Sequence, residues 1–215
     1  RYAPRPDHHR DGAPMPPLAA PIAAMAAIVL ASNVGVQVLI ADGWLTWGAF
    51  TYPLAFLVTD VTTRLMGAPA ARRTVLAGFA VGLACSAVGT QIEGAYGPLV
   101  SWRVALGSAA AFLTAQMLDV AIFSALRRRR WWVAPAASTL VGGAVDTALF
   151  FTIAFSAALV WIEPGNDVSW AQAATVVGPL WVGMALADYA VKVGIGLLAL
   201  APFRWLTRRS SISVA

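Results

Sequence analysis

A chain of 215 residues that is 59% hydrophobic and only 12% charged, with mean hydropathy +0.71, has too few polar side chains to cover a soluble domain of its size, so it reads as an integral membrane protein. Its formal charge of +5 and pI near 10.1 would suit a nucleic-acid binder, but the basic residues alternate from loop to loop instead of forming one patch, which argues against that class. The single cysteine, Cys85, excludes an intrachain disulfide and a cysteine metal site.

In chain order, residues 1–17 are rich in Pro and Arg and read as a flexible cytoplasmic tail; it holds both histidines, His8 and His9, which are given no catalytic or metal role. Six apolar stretches then approach the roughly 20 residues a spanning helix needs: 19–41, 47–66, 73–93, 103–126, 132–161 and 173–203. The first outruns the h-region of a signal peptide and is taken as a span. It carries Ser32, Asn33 and Gln37, the last two on one helical face, and an alanine stripe at Ala23, Ala27 and Ala31 that would let another helix approach closely. Packing within the chain is the expected use of that stripe, with a dimer or partner face as the other.

The second stretch is the least apolar. It contains Phe50, Tyr52 and Phe56, a breaker at Pro53, and Asp60 four residues before Arg64, so that a surface-reaching arginine could partly satisfy the carboxylate. The third holds Cys85, Ser86 and Gln91, and the fourth holds Gln116 and Asp119, the latter two turns before the arginine run 127–130, where a local salt bridge would account for it. In the fifth, Asp146 has no cation in local reach and lies about 21 Å from the start of its helix. Gly142 and Gly143, a turn earlier, allow either a close helix contact or slight unwinding. In the sixth, Asp188 and Lys192 are spaced i, i+4 and can pair, with Tyr189 between them. Residues 210–215 form a C-terminal tail, leaving 18–209 as one six-helix transmembrane domain.

The sidedness follows from charge. Arg1, Arg5 and Arg10, then Arg64, Arg72 and Arg73, then Arg127 to Arg130, then Arg204, Arg208 and Arg209 occupy alternate connections, while the others carry Asp42, Glu93, Glu163 and Asp167 with Arg103 alone. The positive-inside rule makes the chain an all-α polytopic membrane protein with six transmembrane helices and both termini cytoplasmic, in a bacterial inner membrane. Ionisable groups at membrane depth mark ligand or ion paths, so Asp146, Asp188 and Lys192 form the deep candidate set, with Asp60 and Asp119 nearer the cytoplasmic side. No Gly-rich phosphate loop is present, so the chain does not itself hydrolyse nucleotide. A hydrolase with a pair of carboxylates sharing a proton, for which Asp60 and Asp146 are the candidates, and a purely structural subunit are the competing classes.

Several stretches together resemble the queuosine precursor transporter family, also grouped with vitamin-uptake transporters: S-N-V-G-V-Q at 32–37, the run T-W-G-A-F-T-Y-P through A-A-R-R at 46–73, Q-M-L-D-V-A-I-F at 116–123, R-W-W-V-A-P-A-A-S-T-L at 130–140, D-T-A-L-F-F at 146–151 and D-Y-A-V-K at 188–192. Gly143 departs from the asparagine expected there. The resemblance implies uptake of 7-cyano-7-deazaguanine and its aminomethyl relative, with no enzyme activity and no cofactor. The adjacent ring N–H and amine of a guanine-like base suit one carboxylate, from Asp146 or Asp188, as a fork suits an arginine partner. Lys192 or Asn33 would donate to the ring carbonyl, Phe50, Phe56 or Tyr189 would cover the ring, and Gln37, Asp60, Gln116 and Asp119 complete the candidate substrate contacts. A homodimer or a separate ATP-driven energising partner is compatible with this reading. In the alternative, the chain is a substrate-capture subunit for another vitamin-like or purine-like solute.

Overall fold

The computed structural model describes residues 18–40, 44–94 and 97–209; both expected tails, 1–17 and 210–215, lie outside the described residues. Seven α-helices occur among them: α1 (Ala19–Gly35), α2 (Gly48–Thr51), α3 (Leu54–Met66), α4 (Ala68–Gly89), α5 (Trp102–Leu126), α6 (Val133–Phe155) and α7 (Leu180–Arg209). Four of them, α4 to α7, are long and apolar enough to cross a membrane.

The first two expected spans differ from the prediction for local reasons. The helix expected to run to residue 41 ends at Gly35, where the β-branched sequence V-G-V-Q-V leads into a two-residue antiparallel pair, β1 (Leu39–Ile40) with β2 (Leu45–Thr46). Gln37 therefore lies beyond the helix and shares no helical face with Asn33. The second stretch breaks into α2 and α3 at Tyr52–Pro53. Helix α3 is short of apolar residues because it is internal: it packs against α1, α4, α5, α6 and α7. Its threonines are buried and return their hydroxyls to carbonyls one turn back, Thr59 to Ala55, Thr62 to Val58 and Thr63 to Thr59. A helix surrounded by protein does not need the lipid-facing apolar surface on which a hydropathy scan depends.

A one-residue turn at Gly67, with φ +85°, joins α3 to α4. The fifth expected span stops at Phe155, where Ser156 turns extended and caps a 3₁₀ turn over 157–162; a second 3₁₀ turn covers 169–172. Two further ladders, β3 (Glu93–Gly94) with β4 (Gly97–Pro98) and β5 (Ala174–Thr175) with β6 (Gly178–Pro179), close the remaining connections at that end.

The two ends of the bundle differ in charge. At one, Arg64 Nη1 donates to the Arg127 carbonyl at the C-terminus of α5, and Arg204 stacks 4.7 Å over Trp131, which gathers basic stretches from three separate regions. At the other, Glu163 accepts from the backbone N–H groups of Trp102 and Arg103 at the start of α5. The buried Arg103 donates in return to the Ile153 and Ser156 carbonyls at the end of α6. Met25, Val29, Ala55, Val75 and Phe112 form the main apolar core, and Phe123, Ala134 and Phe203 a smaller one near the basic end. Outward faces carry Leu30, Leu76, Leu83, Leu106, Val141 and Leu197, an apolar exterior around an interior that holds buried polar groups beside its apolar core.

Candidate functional site

Helices α6 and α7 pack side by side, and the polar contacts between them centre on Lys192. Its ammonium donates to Asp146 Oδ2 at 2.7 Å, Asp188 Oδ2 at 2.5 Å and Thr147 Oγ1 at 3.0 Å, so that all three of its donors are used. The pair expected from the i, i+4 spacing on α7 is thus present, and α6 adds a second carboxylate to it. Thr147 passes its own hydroxyl to Asp188 Oδ2 at 2.8 Å. Tyr52, from the break between α2 and α3, donates to Asp146 Oδ1 at 2.9 Å and places its ring 5.5 Å from the ammonium. Asp146, Asp188 and Lys192 are 4%, 9% and 5% exposed. Asp188 Oδ1 has no hydrogen bond among the described residues.

This arrangement keeps one net negative charge and is exchangeable. One cation bridges two carboxylates, and each carboxylate could trade its share of that cation for another donor. At 1.5 Å per residue, Lys192 lies about 18 Å along α7 from Arg204, deep between the two ends. Gly142 lets α6 close in at this level, because a Cβ there would come within 2.9 Å of the Phe56 ring; of the two readings of Gly142 and Gly143, close contact in an unbroken helix is the observed one.

The other predicted residues scatter. Asp60 and Asp119 lie against each other between α3 and α5, about 12 Å nearer the basic end, judged from the eight residues separating Ser138, which bonds Asp60, from Asp146. Two expectations are corrected here. Arg64 does not satisfy Asp60, because it reaches the free carbonyl of Arg127 instead. Asp119 makes no salt bridge to the arginine run, and both its oxygens are buried without a hydrogen-bond partner. The pairing of Asp60 with Asp146 also fails, since Asp60 faces Ser138, Thr139 and Asp119. Gln116 accepts from Thr59 at 2.6 Å. Asn33 donates to its own helix at the Val29 carbonyl, and Gln37 and Phe50 are exposed, Phe50 against Trp47. Phe56 is buried beside Tyr52 in edge-to-face contact, and the Tyr189 hydroxyl donates to the Leu140 carbonyl. The alanine stripe of α1 faces outward, while Met25, Val29 and Ser32 face the core, so the expected packing within the chain is not what it does.

Tyr52, Thr147, Ser138 and Thr139 are the contacts that reasoning from charge alone missed. The available signal was their position: Tyr52 directly precedes the helix-breaking Pro53, and the hydroxyl residues lie beside or one helical face away from the aspartates. A crevice lined by Pro53, Leu57, Asp60, Thr139, Gly196 and Phe203 runs between α3, α6 and α7 and encloses about 10 Å³, the size of one water. A purine-sized solute does not fit it.

Residues 46–206 match the family model described as putative vitamin uptake transporter. The chain is 39% identical over 189 residues to the queuosine precursor transporter of Escherichia coli K12, covering 81% of this chain and 79% of that protein. It is 33% identical over 168 residues to the probable queuosine precursor transporter of Haemophilus influenzae, covering 73% and 66% of the two chains. A probable queuosine precursor transporter of Bacillus subtilis is 29% identical over 184 residues, covering 76% and 72%. No solved structure matches.

Proposed function

The chain belongs to the vitamin uptake transporter family and is a transporter, not an enzyme, and on that premise we propose that it imports queuosine precursors across a bacterial inner membrane. The proposed substrate is 7-cyano-7-deazaguanine, with the aminomethyl form as a second, and residues 18–209 form the transport domain. The observation that carries this reading is the Asp146–Lys192–Asp188 bridge, buried at depth and held by Tyr52 and Thr147.

Each step follows from donors and acceptors. The free Oδ1 of Asp188 is a ready acceptor, and Asp188 Oδ2 becomes available once Lys192 turns away. A guanine-like edge offering a ring N–H beside an amine could then bond both oxygens in parallel, as a guanidinium does. The displaced ammonium would keep Asp146 as its partner and could donate to the ring carbonyl. Tyr52, Phe56 and Tyr189 supply aromatic faces at the same level. Substrate thereby replaces one ion pair with a set of equivalent hydrogen bonds, so the charges stay satisfied in both states, as buried charges must.

We read the bundle as six spans, with α2 and α3 together forming the second, and with both termini on the cytoplasmic side. The contacts that bring Arg64, Arg127 and Arg204 to one end support that sidedness. The outward alanine stripe favours a second reading in which α1 docks on another copy or on an energising ATP-driven partner, the chain then serving as its capture subunit.

The test is uptake by cells that lack their own synthesis of the deazaguanine, read as queuosine in tRNA. Wild type should restore the modification, and Asp146→Asn and Lys192→Met should not. Failure of the wild type sinks the substrate assignment, whereas normal uptake by both variants removes the site assignment and leaves the substrate standing.

A further inference from the structure

The Asp60–Asp119 contact has no part in the transport scheme above. Asp60 is 2% exposed and Asp119 0%, and their carboxyl groups adjoin where the 2.6 Å hydrogen bond from Thr59, next to Asp60, to Gln116, one turn before Asp119, holds α3 against α5. Ser138 Oγ donates to Asp60 Oδ1 at 2.9 Å, and Thr139 Oγ1 lies 3.4 Å from Oδ2. Neither carboxyl is in a salt bridge among the described residues, and Asp119 accepts no hydrogen bond. Gln116, 0% exposed and one turn before Asp119 on the same helix face, leaves its Nε2 without an acceptor.

Among the described residues the surroundings supply no cation. Helix α5 brings Asp119 and Gln116, α6 brings Ser138 and Thr139, and α7 faces the crevice with Gly196, Ala199, Leu200 and Phe203. On α4, which packs on another side of α3, the charged residues Arg72 and Arg73 are exposed. Arg64, one turn beyond Asp60, is engaged with the Arg127 carbonyl.

Two ionised carboxylates offer acceptors only, and side by side in a buried interface they repel with no donor between them. A single proton resolves this, because one carboxyl then donates to the other and only one charge remains, stabilised by the two hydroxyls. A metal ion suits the contacts less well. Hard cations take oxygen ligands, but both hydroxyls already turn their hydrogens toward Asp60, and the adjoining Gln116 amide is left with its nitrogen free.

We propose that Asp60 and Asp119 together bind one proton, exchanged with the basic end of the bundle through the one-water crevice between α3, α6 and α7. Loss of the proton leaves two charges facing each other and drives α3 from α5, widening the bundle at that end. The widening rests on the transport reading, but the proton binding does not.

The test is infrared pH-difference spectroscopy of the full chain in lipid nanodiscs, paired with deazaguanine uptake into proteoliposomes. A titrating protonated-carboxyl band is expected in the wild type, absent from Asp60→Asn and Asp119→Asn and restored, shifted, by Asp119→Glu. No band in the wild type, a band retained in both Asn variants, or a band abolished by sodium at fixed pH overturns the proposal, the last in favour of a metal-ion site. For a single site, one pH unit on the basic side should change the wild-type uptake rate by up to about tenfold, and by less than about twofold in Asp119→Asn. A band without any uptake leaves the proton site standing and sinks the transport reading, and uptake without a band does the reverse.

Discussion

The bundle buries carboxylates at two levels and treats them in opposite ways. At the deeper level two aspartates share a lysine whose three donors are all engaged, and a tyrosine holds one of them from a third element. Nearer the basic end two aspartates adjoin with hydroxyl donors on one side only and no cation among the described residues. The difference shows that burial alone does not define a role. A bridged pair can exchange one charged partner for a ligand of matching donors, whereas an unbridged pair can take up only something small and positive. The one-water crevice belongs to the second level, lined by Asp60 and Thr139 and by Phe203, the residue next to Arg204.

The comparison breaks most sharply at Lys192. Lys192→Met strands two buried carboxylates and should cost about 3–5 kcal/mol, read as a lowered unfolding temperature in detergent, together with loss of uptake. Neutralising all three positions, with Asp146→Asn and Asp188→Asn added, should recover most of that stability and none of the uptake. If uptake returns with stability, the bridge is only a packing device and the two levels do not differ in kind.

Tyr52→Phe is the next largest. It removes one hydrogen bond to a charged group and leaves the bridge intact, so about 1.5–3 kcal/mol of stability should go. Uptake should weaken without vanishing, since Asp146 keeps Lys192. An unchanged substrate dependence would detach Tyr52 from the site.

Asp119→Asn should behave unlike either. Asp119 has no hydrogen bond to lose, and an amide there adds a donor facing Asp60, so stability should stay within about 1 kcal/mol of wild type or rise. A loss as large as that at Lys192 would mean that the second level is held by a partner that the contacts do not show.

The sequence revealed the deeper level well and the other poorly, for a physical reason. Asp188 and Lys192 are i, i+4, so a single helix fixes their contact, and Asp146 stood out because it has no local cation. The Asp60–Asp119 contact depends on which helices cross, and periodicity gives the face of a helix without naming its neighbour. The same i, i+4 rule misled at Arg64, where the free carbonyl at the end of α5 competes with Asp60 and wins. Hydropathy picked out α4 to α7, which are long and apolar enough to cross a membrane, but under-read α3, whose threonines satisfy themselves inside the protein. The break at Pro53 was visible as a proline, but that it frees Tyr52 to reach Asp146 was not.

The alanine stripe has the smallest expected effect and tests whether either level acts alone. Ala23, Ala27 and Ala31 are exposed among the described residues, so Ala27→Leu should change stability by less than about 0.5 kcal/mol. If α1 is a docking face, the same substitution blocks close helix approach, and the chain should shift from larger species to monomer in light scattering of the detergent-solubilised protein while both polar levels stay intact. Uptake retained by that monomer would place the whole transport path within one chain. Uptake lost with the partner would make the bridge half of a device, its opening driven across α1 from outside the chain.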